Sequence, residues 1–185
     1  MQLQDGDLIF LSIPNPLYRR VAAATGSRAS HMGIAFYDEQ QGWLVAESTF
    51  PVAKYTPLAC YLARTDNGWV TVRRCLNPLT PQDIQALRRE CDKQMGRFYH
   101  LGFRYESKRL FCSKLVYDAF ANALAIEIGK LETFAELLHK QPNTQLWFWR
   151  LWFFGRIPWQ RVTVSPASQM LCEKLTTVYE SESTG

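Results

Sequence analysis

The sequence predicts one domain of mixed α and β structure, and three observations carry that expectation. A length of 185 residues suits one ordinary core and is short for two. Hydrophobic residues at 47% and charged residues at 21% sit near the globular average, which excludes a disordered or fibrous chain. Short apolar runs with strand character alternate with stretches that open on helix caps and carry helical periodicity. No internal repeat or low-complexity run interrupts the pattern.

Taken in order, Leu8 to Ile13 is an apolar run behind the Asp5-Gly6-Asp7 turn signal and reads as a buried strand. Asn15-Pro16 supplies a cap and a first-turn proline for a helix that stops at Gly26. HMGIAFY (31–37) and WLVAEST (43–49) read as two strands joined by DEQQG, and WVTVRRC (69–75) as a third. Thr56-Pro57 resembles a cap before LACYLA. Thr80-Pro81-Gln82-Asp83 is the strongest such signature, because Asp83 also complements the helix dipole. Ser107 is expected to cap a helix from about Lys108 to Leu124, with Leu115, Ala119 and Phe120 on its buried face. The domain is expected to span 1–178, with 179–185 a disordered tail.

Charge and termini narrow the partners. The net charge of +4 is spread over Arg19-Arg20, Arg73-Arg74 and Arg88-Arg89, whereas a nucleic-acid binder concentrates its surplus on one element. No nucleic-acid partner is expected. The N-terminal MQLQDGDLIFLS lacks a basic start and a small-residue cleavage site, and Arg150, Gly155 and Arg156 break the one strongly aromatic segment. A cytoplasmic location is the expectation. Five cysteines, Cys60, Cys75, Cys91, Cys112 and Cys172, are odd in number and have no framework spacing, as suits reduced thiols. Neither they nor His31, His100 and His139 make close ligand pairs, so no metal or other cofactor is implied.

Cysteine chemistry needs a thiolate, which is favoured at a helix N-terminus by unpaired N–H groups and the helix dipole. Cys112 alone of the five lies near the start of a predicted helix and within a basic stretch, beside Lys108, Arg109 and Lys114. The other four read as packed or peripheral thiols. A catalytic thiol also needs a base, usually histidine, oriented by a third polar group. His31 opens a strand beside Ser30 and before Gly33, which leaves room for close approach by a substrate or another chain segment. If Tyr37 pairs with Trp43 across the hairpin, Gly33 faces Glu47 and His31 becomes its diagonal neighbour on one face. A slip of one residue would send Glu47 to the other face.

With these residues in view, the chain resembles a known superfamily. GDLIF (6–10) followed by SHMGIAF (30–36) is similar to the strand and histidine signatures of the NlpC-type papain-like enzymes. The cysteine motif FCSKLVYDAF follows those strands instead of preceding them. That order resembles the circularly permuted branch, which holds the YiiX-like and YebB-like proteins and lecithin:retinol acyltransferase. The stretches YHLGFRYES, ETFAELL and FGRIPW look closest to the YebB-like type. The resemblance implies an α+β fold, permuted papain-like, with an antiparallel sheet packed against helices. It implies Cys112 as nucleophile, His31 as base and Glu47 as the orienting residue.

The backbone N–H of Cys112 is the natural first oxyanion donor, and Ser30 and Tyr105 are the nearest polar candidates for a second contact to substrate. The expected activity is that of a thiol hydrolase of amidase or peptidase type working through an acyl-thioester. Lipid acyl transfer or thioester hydrolysis by the same triad is the alternative. A non-catalytic module that keeps the fold is another, and the pH profile of Cys112 alkylation separates it from an enzyme. The substrate is expected to be a small molecule, a peptide or an acyl chain. Seven of the 25 aromatic residues fall within LWFWRLWFFGRIPW (146–159). That segment reads foremost as core or homodimer contact, next as the wall of an acyl pocket, and last as a patch for a membrane surface.

Overall fold

The computed structural model describes residues 1–141 and 145–181. Its centre is a six-stranded sheet in which every neighbouring pair is antiparallel. In chain order the strands are β1 (Leu8–Leu11), β2 (His31–Asp38), β3 (Gly42–Ser48), β4 (Ala53–Pro57), β5 (Val70–Cys75) and β8 (Leu175–Glu180). Across the sheet they run β4-β3-β2-β1-β5-β8. A small second sheet pairs β6 (Leu131–Thr133) with β7 (Val162–Val164). The helices are α1 (Pro16–Thr25), α2 (Leu58–Leu62), α3 (Pro81–Asp92), α4 (Cys112–Leu124), α5 (Phe134–His139), α6 (Leu146–Trp152) and α7 (Pro166–Met170).

Side-chain alternation divides the core between the two faces of the sheet. Phe10, Met32, Ile34 and Phe36 meet Leu115, Val116, Ala119 and Phe120 of α4 on one face. Ile9, Leu11, Ala35, Val45 and Val72 meet Tyr61 of α2 on the other. The strands are thus buried on both sides, which explains why Leu8 to Leu11 reads as a continuous apolar run. Asp7, which opens that run, is fully buried, and both of its carboxylate oxygens accept from the Arg74 guanidinium. The polar residue of the GDLIF motif therefore ties β1 to the end of β5.

Most local signals became the elements they predict. Asn15 caps α1 by accepting from the Leu17 N–H, and Gly26 ends it in the left-handed region at φ 62°. Thr80 and Asp83 form a reciprocal capping box on α3. Two signals were misread. Thr56 caps nothing, because it belongs to β4 and its hydroxyl is used elsewhere, while Pro57 sits at the N-cap of α2. Ser107 does not start α4: its Oγ accepts from the Arg109 N–H in a local turn, and the helix begins at Cys112 behind Phe111. The shorter helix sets Cys112 on its first turn. Two residues assigned to the tail, Tyr179 and Glu180, lie in β8, and 182–185 fall outside the described residues. No helix among the described residues is long and apolar enough to cross a membrane.

The β2–β3 register determines the site. Tyr37 pairs with Trp43 and Ile34 with Ala46, which sets Gly33 opposite Glu47. The lack of a side chain at Gly33 serves strand packing here: a Cβ would lie 2.5 Å from Val45 Cγ1 and 2.7 Å from the Ala46 carbonyl oxygen. Gly33→Ala is therefore expected to lower stability by about 1–3 kcal/mol through overpacking against backbone that cannot step aside. Thermal unfolding of the variant checks this, and an unchanged Tm would mean that the strands separate without cost.

Candidate active site

His31 opens β2 at the end of the sheet, and Glu47 lies near the end of β3. Both side chains are fully buried. Their diagonal placement brings His31 Nε2 to 2.5 Å from Glu47 Oε2. Glu47 also accepts from the Thr56 hydroxyl at 2.6 Å and from Arg64 Nη2, at 2.8 Å on one oxygen and 2.7 Å on the other. A buried carboxylate with that many donors is held ionised. Burial pushes the Glu47 pKa up, but the bond and charge of His31, then Arg64 and Thr56, outweigh it and hold the value at about 2.

The other imidazole nitrogen, Nδ1, is buried and makes no bond of strict geometry. Burial alone would depress the His31 pKa, yet Cys112 and Glu47 raise it to about 9. Since Nε2 is taken by Glu47, Nδ1 is the nitrogen left to serve the Cys112 thiol. Catalytic hydrogen bonds are often loose before substrate binds. Tyr18 of α1 stands edge-on to the imidazole with ring centroids 5.6 Å apart, and Tyr61 lies against it at 5.7 Å.

Cys112 is buried at the start of α4, where the cap residue Phe111 offers no side-chain acceptor to the first N–H groups. Ser113 anchors this end of the helix, its hydroxyl donating to the Val164 carbonyl and its own carbonyl accepting from Gln169 Nε2. The Tyr18 and Tyr99 hydroxyls hydrogen-bond each other. Burial first, then Cys112, raises the Tyr18 pKa to about 12, and burial also takes Tyr99 well above 10, so both remain protonated donors.

The structure thus brings together Cys112, His31 and Glu47. It places Ser30 on the wall of the same cavity, but the Ser30 oxygen accepts from the Ile13 N–H at 2.9 Å. Tyr105 is not brought there: its ring packs edge-on to Tyr117 under Lys114 Nζ, and its hydroxyl bonds Asp118. Thr56, Arg64, Tyr18 and Tyr99 escaped the sequence reading. Only Thr56 carried a local signal, and that signal was spent on a capping interpretation.

Beside Cys112 lies a cavity with about 640 Å³ of empty space, its opening included. Leu17, Val21, Phe103, Phe134, Leu138 and Trp149 make most of it apolar. Trp149 comes from the aromatic segment, which with Phe134, Leu138 and Ile157 builds a small core of its own. The core reading of that segment therefore holds for part of it, and Trp149 also lines the cavity.

Comparison with known proteins agrees with this layout. A family model described as permuted papain-like amidase enzyme, YaeF/YiiX, C92 family, matches residues 2–179. The uncharacterized protein YiiX of Escherichia coli is 29% identical over 177 residues, which cover 96% of this chain and 86% of that one. A crystal structure described as metalloprotein YiiX, also from Escherichia coli, matches with a TM-score of 0.90 at 28% identity, over 98% of this chain and 99% of that chain. Among the described residues, no three His, Cys, Asp or Glu side chains are grouped to hold a metal ion. With the family model covering nearly the whole chain and the histidine strand preceding the cysteine helix, this chain belongs to the permuted papain-like amidases.

Proposed function

We propose that the protein is a thiol hydrolase of amidase type that works through an acyl-thioester on Cys112. The observation that carries this reading is the line from a buried, multiply bonded Glu47 through His31 to the thiol at the start of α4. His31 Nδ1 holds the Cys112 proton as an imidazolium, and the sulfur attacks the amide carbonyl carbon to form a C–S bond. Negative charge on the carbonyl oxygen is met by the Cys112 N–H and by a tyrosine hydroxyl, for which Tyr18 is better supported than Ser30 or Tyr105. The imidazolium returns its proton to the leaving amine as the C–N bond breaks. Water, deprotonated by His31, then cleaves the thioester and regenerates the thiol. Mass spectrometry after incubation with an activated acyl probe tests the reading: the adduct should map to Cys112 and vanish in Cys112→Ala. Labelling that persists in the variant would end the nucleophile assignment.

A second reading, hydrolysis or transfer of a lipid acyl group by the same residues, is favoured by the cavity lining. An aliphatic chain gains about 0.8 kcal/mol for each methylene it buries, which a cavity of this lining supplies and a polar peptide cannot use. Ala24→Phe would fill the wall that α1 contributes. Its kcat/KM should fall at least tenfold for a long saturated acyl substrate and stay near wild type for an acetyl one. Equal losses on both would remove the cavity from substrate selection.

A further inference from the structure

The aromatic segment has a second side. Its helix α6 sends Trp149 inward, but Trp147 is 60% exposed, Leu151 73% and Phe154 99%. Phe154 follows the helix at φ 52°, the left-handed region that an aromatic residue enters only under constraint. This left-handed position ends α6, with the Gly155 N–H bonded to the Arg150 carbonyl at 2.7 Å, and an aromatic residue stands there with its ring in water, where it contributes little to folding. Leu101, itself 42% exposed, joins Leu151, Phe154 and the flanks of Phe148 and Trp152 along one groove, braced by the Trp152 Nε1 bond to the Leu101 carbonyl.

Cations rim this apolar tip. Arg156 and Arg161 line the same groove, and Arg20 lies over the rings of Trp147 and Phe148. His100 and Arg161 converge over Gly102: a Cβ there would be 3.0 Å from His100 Cε1 and 3.1 Å from Arg161 Nη1. Arg104 and Arg109 act on His100 as well, and its buried Nε2 has no hydrogen-bond partner. Among the described residues, Arg20, Arg104, Arg109, Arg156 and Arg161 form no ion pair. The segment 146–161 contains no acidic residue.

We infer that this face docks the protein on an anionic phospholipid surface, with Trp147, Leu151 and Phe154 entering the headgroup boundary and the arginines meeting lipid phosphates. Apolar side chains ringed by cations match that boundary in both chemistry and sign. A second copy of the chain fits worse, because a two-fold contact would set the arginine rims against each other. Position supports the same partner. Trp149 lines the cavity at Cys112 from the opposite side of α6, so the surface and the cavity lie about one helix diameter, ~10 Å, apart. The inference stands whether or not Cys112 is catalytic.

Vesicle co-sedimentation tests it with the full chain. Wild type should bind phosphatidylcholine vesicles containing phosphatidylglycerol, weakly bind phosphatidylcholine alone, and release as salt is raised. The double variant Leu151→Asp, Phe154→Asp should bind the anionic vesicles at least tenfold more weakly, with the circular dichroism of wild type. Phe154→Gly separates docking from folding, since glycine suits the left-handed backbone: it should raise Tm while weakening vesicle binding. The inference is overturned if wild type ignores both vesicles, or if these variants bind as wild type does. It also falls if light scattering shows a dimer that the double variant disperses while vesicle binding is unchanged.

Discussion

Replacing Cys112 by alanine is expected to lower kcat/KM on any accepted amide or ester by about 10⁵-fold or more, because the proposed reaction loses its nucleophile. The fold should survive. Cys112 is a small side chain packed among Leu115, Val116 and Ala29 in the main core, and trimming its sulfur leaves little space. A near-native Tm with activity at background is therefore the expected pair of results, measured by thermal unfolding and by the acyl-probe assay. Cys112→Ser should not rescue the rate, since a hydroxyl beside the same imidazole is a far weaker nucleophile at neutral pH. A Cys112→Ala enzyme that retained even a tenth of its activity would move the chemistry elsewhere in the molecule.

Glu47→Gln is the second large effect, with an expected loss in kcat of roughly 10³–10⁴-fold. In the proposed mechanism Glu47 acts through His31 as a positioning residue, and the pH profile distinguishes that role from simple destabilisation. The Glu47 carboxylate helps raise the His31 pKa from its ordinary 6.5 to about 9, against the burial that lowers it. Without that charge the imidazolium is lost at lower pH. The alkaline limb of kcat/KM, expected near pH 9 in wild type, should therefore move toward neutrality in Glu47→Gln. An unmoved limb would show that Glu47 merely packs.

Stability follows the same two groups with opposite signs. The folded His31 pKa lies above its unfolded value, so its stabilisation is complete below pH 6.5 and is lost as pH rises through about 9. The folded Glu47 pKa lies below its unfolded value, so its stabilisation is complete above pH 4.5 and is lost as pH falls through about 2. Both contributions are whole between about pH 4.5 and 6.5. Glu47→Gln should flatten both limbs of a Tm-against-pH curve.

How far the site could be read in advance differs residue by residue. His31 and Cys112 announced themselves through local context, a strand-opening histidine before Gly33 and a cysteine at a helix start. Glu47 needed one further step, the hairpin register, which side-chain period and turn length supply. Thr56 looked like a cap because Thr-Pro before an apolar run usually is one. Its place in β4 diagonal to Glu47 gave its hydroxyl a better partner, a buried carboxylate. Tyr105 drew attention by closeness in sequence to Cys112, but Tyr117 and Lys114 hold it on another side of α4.

Local sequence was enough for the mixed architecture, the order of histidine strand and cysteine helix, the four inner strands of the sheet, and the capped helices α1 and α3. These depend on periodicity, turn chemistry and capping, all of which act within a few residues. What surrounds Cys112, His31 and Glu47 depends on long-range packing. Arg64 reaches Glu47 from just beyond the end of α2, Tyr18 reaches His31 from α1, and Tyr99 reaches Tyr18 from a loop. That packing also divided LWFWRLWFFGRIPW between an inward Trp149 and an outward Phe154, a division that composition could not make. Contacts of this kind are set by how the sheet and helices close on each other, and no local propensity encodes them.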